Sequence, residues 1–171
     1  NTGCSGLQMS QKDPNVVLAG TWEMYLQTHV LESGGMGSGI DLSHDGGKTF
    51  AKVTDPGLPK SPYGKTDVAI APSDGNRMYA LIQTGGDGVQ PWGATTRMKS
   101  EAQGSVWRSD DGGKSWKNMS WDRRLIGRAG YYIRIRVAPD NPDHLLIANS
   151  TLWRSRDGGK IWGSGGGGCG D

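Results

Sequence analysis

The chain has 171 residues, a formal net charge of +2 and two cysteines. That length allows one domain with a sizeable core, the small charge excludes a strong field toward nucleic acid or membrane, and the apolar runs fall short of a bilayer span. Twenty-nine glycines without a collagen period mark a chain of many turns, and seven tryptophans stand beside a single phenylalanine.

Alternation and turn signals predict short strands throughout and no helix, because every candidate window is broken by Gly or Pro or lacks the 3.6 period. In chain order, strands are expected over 6–10 and 16–22 around the turn Asp13-Pro14-Asn15, then over 38–43 and 50–53. A second set runs over 66–71, 77–83, 104–109 and 115–119, with the turn Ser73-Asp74-Gly75-Asn76 after its first strand. A third runs over 132–138, 145–149, 151–155 and 161–162, with the turn Pro139-Asp140-Asn141-Pro142. Four short strands per set, with evenly placed turns, are the pattern of propeller blades. Two connections are long, 23–37 and 84–103, and both join the second and third strands of a set. Residues 163–168 read as a flexible glycine linker.

One pattern closes the third strand of every set: Ser43-His44-Asp45-Gly46-Gly47-Lys48-Thr49-Phe50, Ser109-Asp110-Asp111-Gly112-Gly113-Lys114-Ser115-Trp116 and Ser155-Arg156-Asp157-Gly158-Gly159-Lys160-Ile161-Trp162. Asp-Gly-Gly favours a tight hairpin, with glycine supplying positive φ and Asp accepting from nearby amides. The closing aromatic, Phe50, Trp116 or Trp162, is expected to pack on the hairpin. Ser43, Asp45, Gly47, Ser109, Asp111, Gly113, Ser155, Asp157 and Gly159 are therefore read as structural.

These repeats resemble the Asp box, the bacterial neuraminidase repeat of sialidases, xyloglucanases, sortilin-type receptors and the photosystem II stability and assembly factor. Further stretches, Ser33-Gly34-Gly35-Met36-Gly37-Ser38-Gly39, Gly57-Leu58-Pro59 and Trp121-Asp122-Arg123-Arg124-Leu125-Ile126-Gly127-Arg128-Ala129-Gly130-Tyr131-Tyr132, are similar to bacterial proteins with sortilin-like or glycosyl-hydrolase-like repeats. The resemblance implies an all-β fold: a propeller segment of about three four-stranded antiparallel blades, over 1–65, 66–130 and 131–162, with 163–171 as a tail or cut loop. It also implies a secreted or periplasmic protein. Three blades do not close a ring, so the rest of a propeller or neighbouring chains are expected partners.

Function on such a scaffold is expected on the face carrying the long connections and the links between blades. Trp22, Trp92, Trp121, Arg123, Arg124 and Arg128 are the ligand-binding candidates there, for carbohydrate or protein. Glycoside hydrolysis would need two carboxylates flanking a sugar bond, and Glu23, Asp122 and Asp67 are the acids to consider. Sialidase chemistry would need arginines gathered from several blades. Arg134 and Arg136 alternate on one strand, and the plainer expectation is pairing with acids of a neighbouring blade. The leading reading is a binding or assembly scaffold. The rivals are a glycoside hydrolase of xyloglucanase-like or sialidase-like type and a sortilin-like peptide binder. No cofactor, metal site, nucleic-acid partner or membrane insertion is expected: His29, His44 and His144 are scattered, and Cys4 and Cys169 lack ligand spacing. The two cysteines read as unrelated thiols or, in an oxidising compartment, as a bridge.

Overall fold

A computed structural model describes residues 1–28, 30–85, 88–89, 95–98 and 103–165, the 88–89 and 95–98 stretches as backbone. His29, Trp92 and Cys169 lie outside the described residues, and with them any bridge between Cys169 and Cys4. Cys4 itself is exposed.

The described chain is nearly all β. The first blade contains β1 (Thr2–Met9), β2 (Val17–Leu26), β3 (Val30–Ser33), β4 (Gly39–Ser43) and β5 (Ala51–Lys52). The second contains β6 (Thr66–Ile70), β7 (Met78–Ile82), β8 (Gly88–Val89), β9 (Thr95–Met98), β10 (Val106–Ser109) and β11 (Lys117–Ser120). The third contains β12 (Arg134–Val137), β13 (Leu145–Ala148), β14 (Leu152–Ser155) and β15 (Gly163–Ser164). Each blade is an antiparallel meander: β1-β2-β4-β5, β6-β7-β10-β11 and β12-β13-β14-β15. The innermost strand β6 packs against both β1 and β12.

The blades stack through two apolar layers. Leu18 and Ile40 of the first blade meet Val68, Ile70, Met78, Ala80, Ile82, Trp107 and Trp116 of the second. The opposite face of the second, with Ala69, Tyr79, Leu81 and Val106, meets Ile135, Leu145, Ile147 and Trp162 of the third. Side chains of successive strand residues point to opposite faces, so a blade between two others is apolar on both faces, which is why all of β6 and β7 is buried.

The Asp-Gly-Gly hairpins are built alike. Gly47, Gly113 and Gly159 N–H groups donate to the Oγ of Ser43, Ser109 and Ser155 at 2.9, 2.9 and 3.0 Å. Each serine hydroxyl donates in turn to the aspartate of its hairpin. Both glycines of every hairpin have φ between 72° and 94°, a conformation that strains any residue with a Cβ. The first glycine of each then donates to the carbonyl of Asn15, Asn76 or Asp143 in the turn after the blade's first strand. Those bonds place hairpins and first turns on one face, and the long connections and blade links on the other, here called the loop face.

Several local expectations need correction. The two long connections are not loops throughout, because β3 pairs in parallel with β9, and β9 with β8, so insertions from neighbouring blades form one sheet. β2 runs four residues past Trp22 to join it, pairing with β3 through Met24, Tyr25 and Leu26. The glycine-rich tail begins inside a strand: Gly163 and Ser164 pair with Arg154 and Trp153, not Ile161-Trp162. Phe50 is 44% exposed, whereas Trp116 and Trp162 are 5% and 7% exposed; each tryptophan packs against the preceding blade, and Phe50 has no preceding blade among the described residues. A short 3-10 turn also forms at Arg123–Ile126 where no helix was expected, because Asp122 caps it by accepting from the Arg124 N–H.

Candidate functional site

The loop-face ends of the inner strands converge. Trp22, half-buried on β2, donates its Nε1–H to Ser33 Oγ at 2.9 Å, and Ser33 donates to Gln83 Oε1 at 2.7 Å. The Lys65 backbone N–H reaches the same Gln83 oxygen at 3.1 Å. The Lys65 ammonium lies 4.8 Å from the Trp22 ring centroid and donates to the Tyr131 carbonyl at 2.6 Å. Lys65 is buried, and burial first, with Arg134 second, pulls its pKa down. One face of Trp22 is thus occupied by a cation, so it is not an open stacking platform.

Asp67, on β6, is 1% exposed and ties three blades together. It accepts from the Ile135 N–H at 2.8 Å, from Arg136 at 3.2 Å, and lies 3.6 Å from the Arg134 guanidinium. Its carboxylate also rests against Gly6 of β1, where any side chain would collide. Burial pushes its pKa up, against the opposing pull of the Ile135 amide and the two arginines. Arg134 and Arg136 therefore pair with an acid of the neighbouring blade, as their alternation suggested. Lys65, Arg134 and Arg136 leave this axial cluster with more positive than negative charge.

The other candidate acids are also engaged. Glu23 accepts from the Gly37 N–H at 2.7 Å and so pins the return of its own connection. Asp122 caps the 3-10 turn and forms a forked pair with Arg124, whose side-chain bonds are the main cause holding its carboxyl below the usual range. The Arg124 guanidinium stacks 4.6 Å from the Trp153 ring centroid. Arg123 is exposed and reaches across to Gly85, and Arg128 is half-buried. Asn149 fastens the turn to the third blade by donating to the Arg124 and Leu125 carbonyls at 2.8 and 3.0 Å. Glu23, Asp67 and Asp122 each serve a different set of partners; no bond joins any two of them among the described residues.

Trp121 is 64% exposed and borders a groove of about 800 Å³. The groove runs between the link Gly57–Pro62 and the outer strands of the second blade, where Trp107 and Asn118 face it. Lys65, Gln83, Trp107 and Asn118 were not singled out by their sequence pattern as site residues. Lys65 stands directly before β6, and its neighbours Gly64, Thr66 and Asp67 gave no sign of its burial. Asn118 sits in an N-x-S pattern, which carries no information about its burial. Among the described residues no group of three or more His, Cys, Asp and Glu gathers as a metal site, and no helix is long and apolar enough to cross a membrane.

No protein-family model matches the chain, and no curated protein matches it in sequence. Solved structures do match it in fold. The structure of YCF48 bound to D1 peptide superposes with a TM-score of 0.57 at 18% identity, over 94% of this chain and 39% of that one. YCF48 from Cyanidioschyzon merolae gives 0.55 at 16% identity, over 95% and 37%. The GH74 xyloglucanase from Xanthomonas campestris gives 0.52 at 16% identity, over 94% and 20%. At these identities the likeness is one of fold: the chain has the blade architecture of β-propellers and spans less than two-fifths of each neighbour's length.

Proposed function

We propose that this chain is part of an Asp-box propeller acting as a binding or assembly scaffold, and that its ligand is an acidic protein segment seated on the loop face. The observation that carries this reading is where exposed apolar side chains fall. Leu7, Met9 and Phe50 lie on the open flank of the first blade, and Leu146 and Ile161 on that of the third. Neighbouring blades would cover both flanks. Tyr25, Leu26, Met36, Trp121, Tyr131 and Tyr132 are exposed on the loop face, which ring closure leaves open. An open apolar and aromatic face of this kind marks an interaction surface. The positive excess of Lys65, Arg134 and Arg136 beside it, with Arg123 and Arg128 at its rim, suits an acidic partner. That one fold neighbour, YCF48, binds a peptide is in keeping with a sortilin-like or assembly-factor role. The same reading makes the protein secreted or periplasmic.

A hydrolase is the less favoured reading, because Glu23, Asp67 and Asp122 are each spent on backbone or arginine partners rather than opposed across a cleft. The test uses the full-length protein, fluorescent Asp/Glu-rich peptides and a reducing-sugar assay on soluble polysaccharides. Binding that weakens with salt, and weakens further in the Arg123→Ala variant at an unchanged melting temperature, supports the scaffold. Release of reducing ends that disappears in Asp122→Asn overturns it.

A further inference from the structure

We propose that the open flank of the third blade is the seat of a further blade of the same protein, one that carries a carboxylate in the turn after its first strand. This seat presupposes the reading of the chain as part of a propeller, and owes nothing to the acidic ligand of the loop face.

The internal repeat supplies the geometry. Leu42, Arg108 and Arg154 hold equivalent places: each precedes the hairpin serine and pairs with Leu18, Tyr79 or Leu146 of the neighbouring strand. Asn15, Asn76 and Asp143 are equivalent too, since each carbonyl accepts from the first glycine of its blade's hairpin. At both seams inside the chain, the residue before the serine lies against the hairpin of the next blade: Leu42 against Gly113, and Arg108 against Gly158. The turn residue of that next blade then matches it in charge. Apolar Leu42 is followed by a blade with the neutral Asn76. Arg108 is followed by a blade with Asp143, whose carboxylate lies 3.7 Å from its guanidinium and 2.6 Å from that of Arg77.

The third blade repeats the charged case with its acids missing. Leu146 is 44% exposed, whereas the equivalent Leu18 and Tyr79 are fully covered by the blade that follows them. Beside it, Arg154 takes the place of Arg108. Arg108 has two acids, Asp143 across the seam and Asp110 of its own hairpin at 3.0 Å. Where the second hairpin has Asp110, the third has Arg156, a like charge instead of a counter-charge. Arg154 and Arg156 are exposed, and neither makes a hydrogen bond or ion pair among the described residues. With Ile161 they border a recess of about 330 Å³. Asp157, also at the recess, is taken up by the Ser155 hydroxyl and by the Lys160 and Ile161 amides. Covering two guanidiniums without a counter-charge is strongly unfavourable, so the body that buries Leu146 brings a carboxylate to them. A second copy seated by its own first blade does not, because its turn residue at this point is Asn15.

The experiment uses the full-length protein. Phenylglyoxal modification read by mass spectrometry reports how well each arginine is covered. Arg154 should react as slowly as Arg108, whose side chain is 14% exposed, and far more slowly than the exposed Arg123. In Arg154→Lys and Arg156→Lys variants, carbodiimide coupling should join the introduced amine to an Asp or Glu of the same polypeptide, in the turn after a blade's first strand. Arg154→Glu should lower the melting temperature, and less so at high salt. Any of four outcomes overturns the proposal: Arg154 reacts as fast as Arg123; the coupled carboxylate lies outside such a turn or in a second copy, seen as a cross-linked dimer; nothing but Asp157 couples; or Arg154→Glu melts as the parent does. Peptide binding at the loop face enters none of these readouts, so the two readings fail separately.

Discussion

The Asp67 carboxylate on the inner strand of the second blade lies 2.8 Å from the backbone nitrogen of Ile135 on the inner strand of the third. A side chain thereby completes a main-chain donor that no strand of its own blade reaches. With Arg134 and Arg136 on the same oxygens, one buried acid holds the axial seam.

Asp67→Ala should therefore cost about 3 kcal/mol, since it leaves a buried amide and two arginines without their acceptor. Both guanidiniums are about half exposed, which places the loss at the lower end of what breaking a buried pair costs. Urea denaturation followed by circular dichroism measures it. An unchanged midpoint would remove Asp67 from the seam.

The hairpin acids predict an acid limit. Asp45 and Asp111 are held down to about 2, chiefly by the hydroxyls of Thr49 and Ser115 and then by the amides of the same residues. A carboxyl with a depressed folded pKa adds stability above its unfolded value near 4 and loses it as the pH falls toward 2. Melting temperature should therefore drop between pH 4 and pH 2, and an Asp45→Asn/Asp111→Asn double variant should show a flatter profile there. Superimposable profiles would contradict the bonding seen here.

The third hairpin is the incomplete one. Thr49 and Ser115 hydroxyls donate to their aspartates at 2.6 Å, but Ile161 holds the same place and brings only its backbone N–H, at 3.0 Å. Ile161 is 75% exposed. In this 171-residue chain by itself, Ile161→Thr should raise the melting temperature by restoring the bond, because so exposed a side chain gives up little apolar burial. A fall in the intact protein instead would show that Ile161 is covered by a neighbour there.

Trp116 and Phe50 close equivalent hairpins in unequal surroundings. Trp116→Ala should cost about 3–5 kcal/mol, as for other buried aromatics, and it also removes the indole bond to the Gly113 carbonyl at 3.1 Å. Phe50→Ala should cost far less in this chain, since the ring is 44% exposed. Equal losses would mean that a further blade seats on Phe50.

Blades and hairpins were legible in the sequence because their signals are local. Asp-Gly-Gly requires positive φ within a few residues, and strand alternation reports a face directly. The pairing of Arg134 and Arg136 with another blade's acid was also readable, from their spacing. What escaped was set by long-range geometry. β3 and β9 carry no alternation that separates them from loop, since their partners come from different blades some 65 residues apart. Glu23 and Asp122 looked available as acids, because turn capping depends on where one carboxylate meets one amide and composition does not encode that. Trp22 and Trp121 looked alike, yet only the fold puts Lys65 over one of them.

The parallel pairing of Val30–Ser33 with Thr95–Met98 has a consequence for swapping these insertions between proteins. Main-chain bonds join the two segments whatever their side chains are, so sequence there can drift while the joint geometry persists. Length is another matter: a residue added to one segment shifts its register and turns every neighbour to the opposite side. The two insertions behave as a single transplantable module, to be exchanged as a pair or left in place.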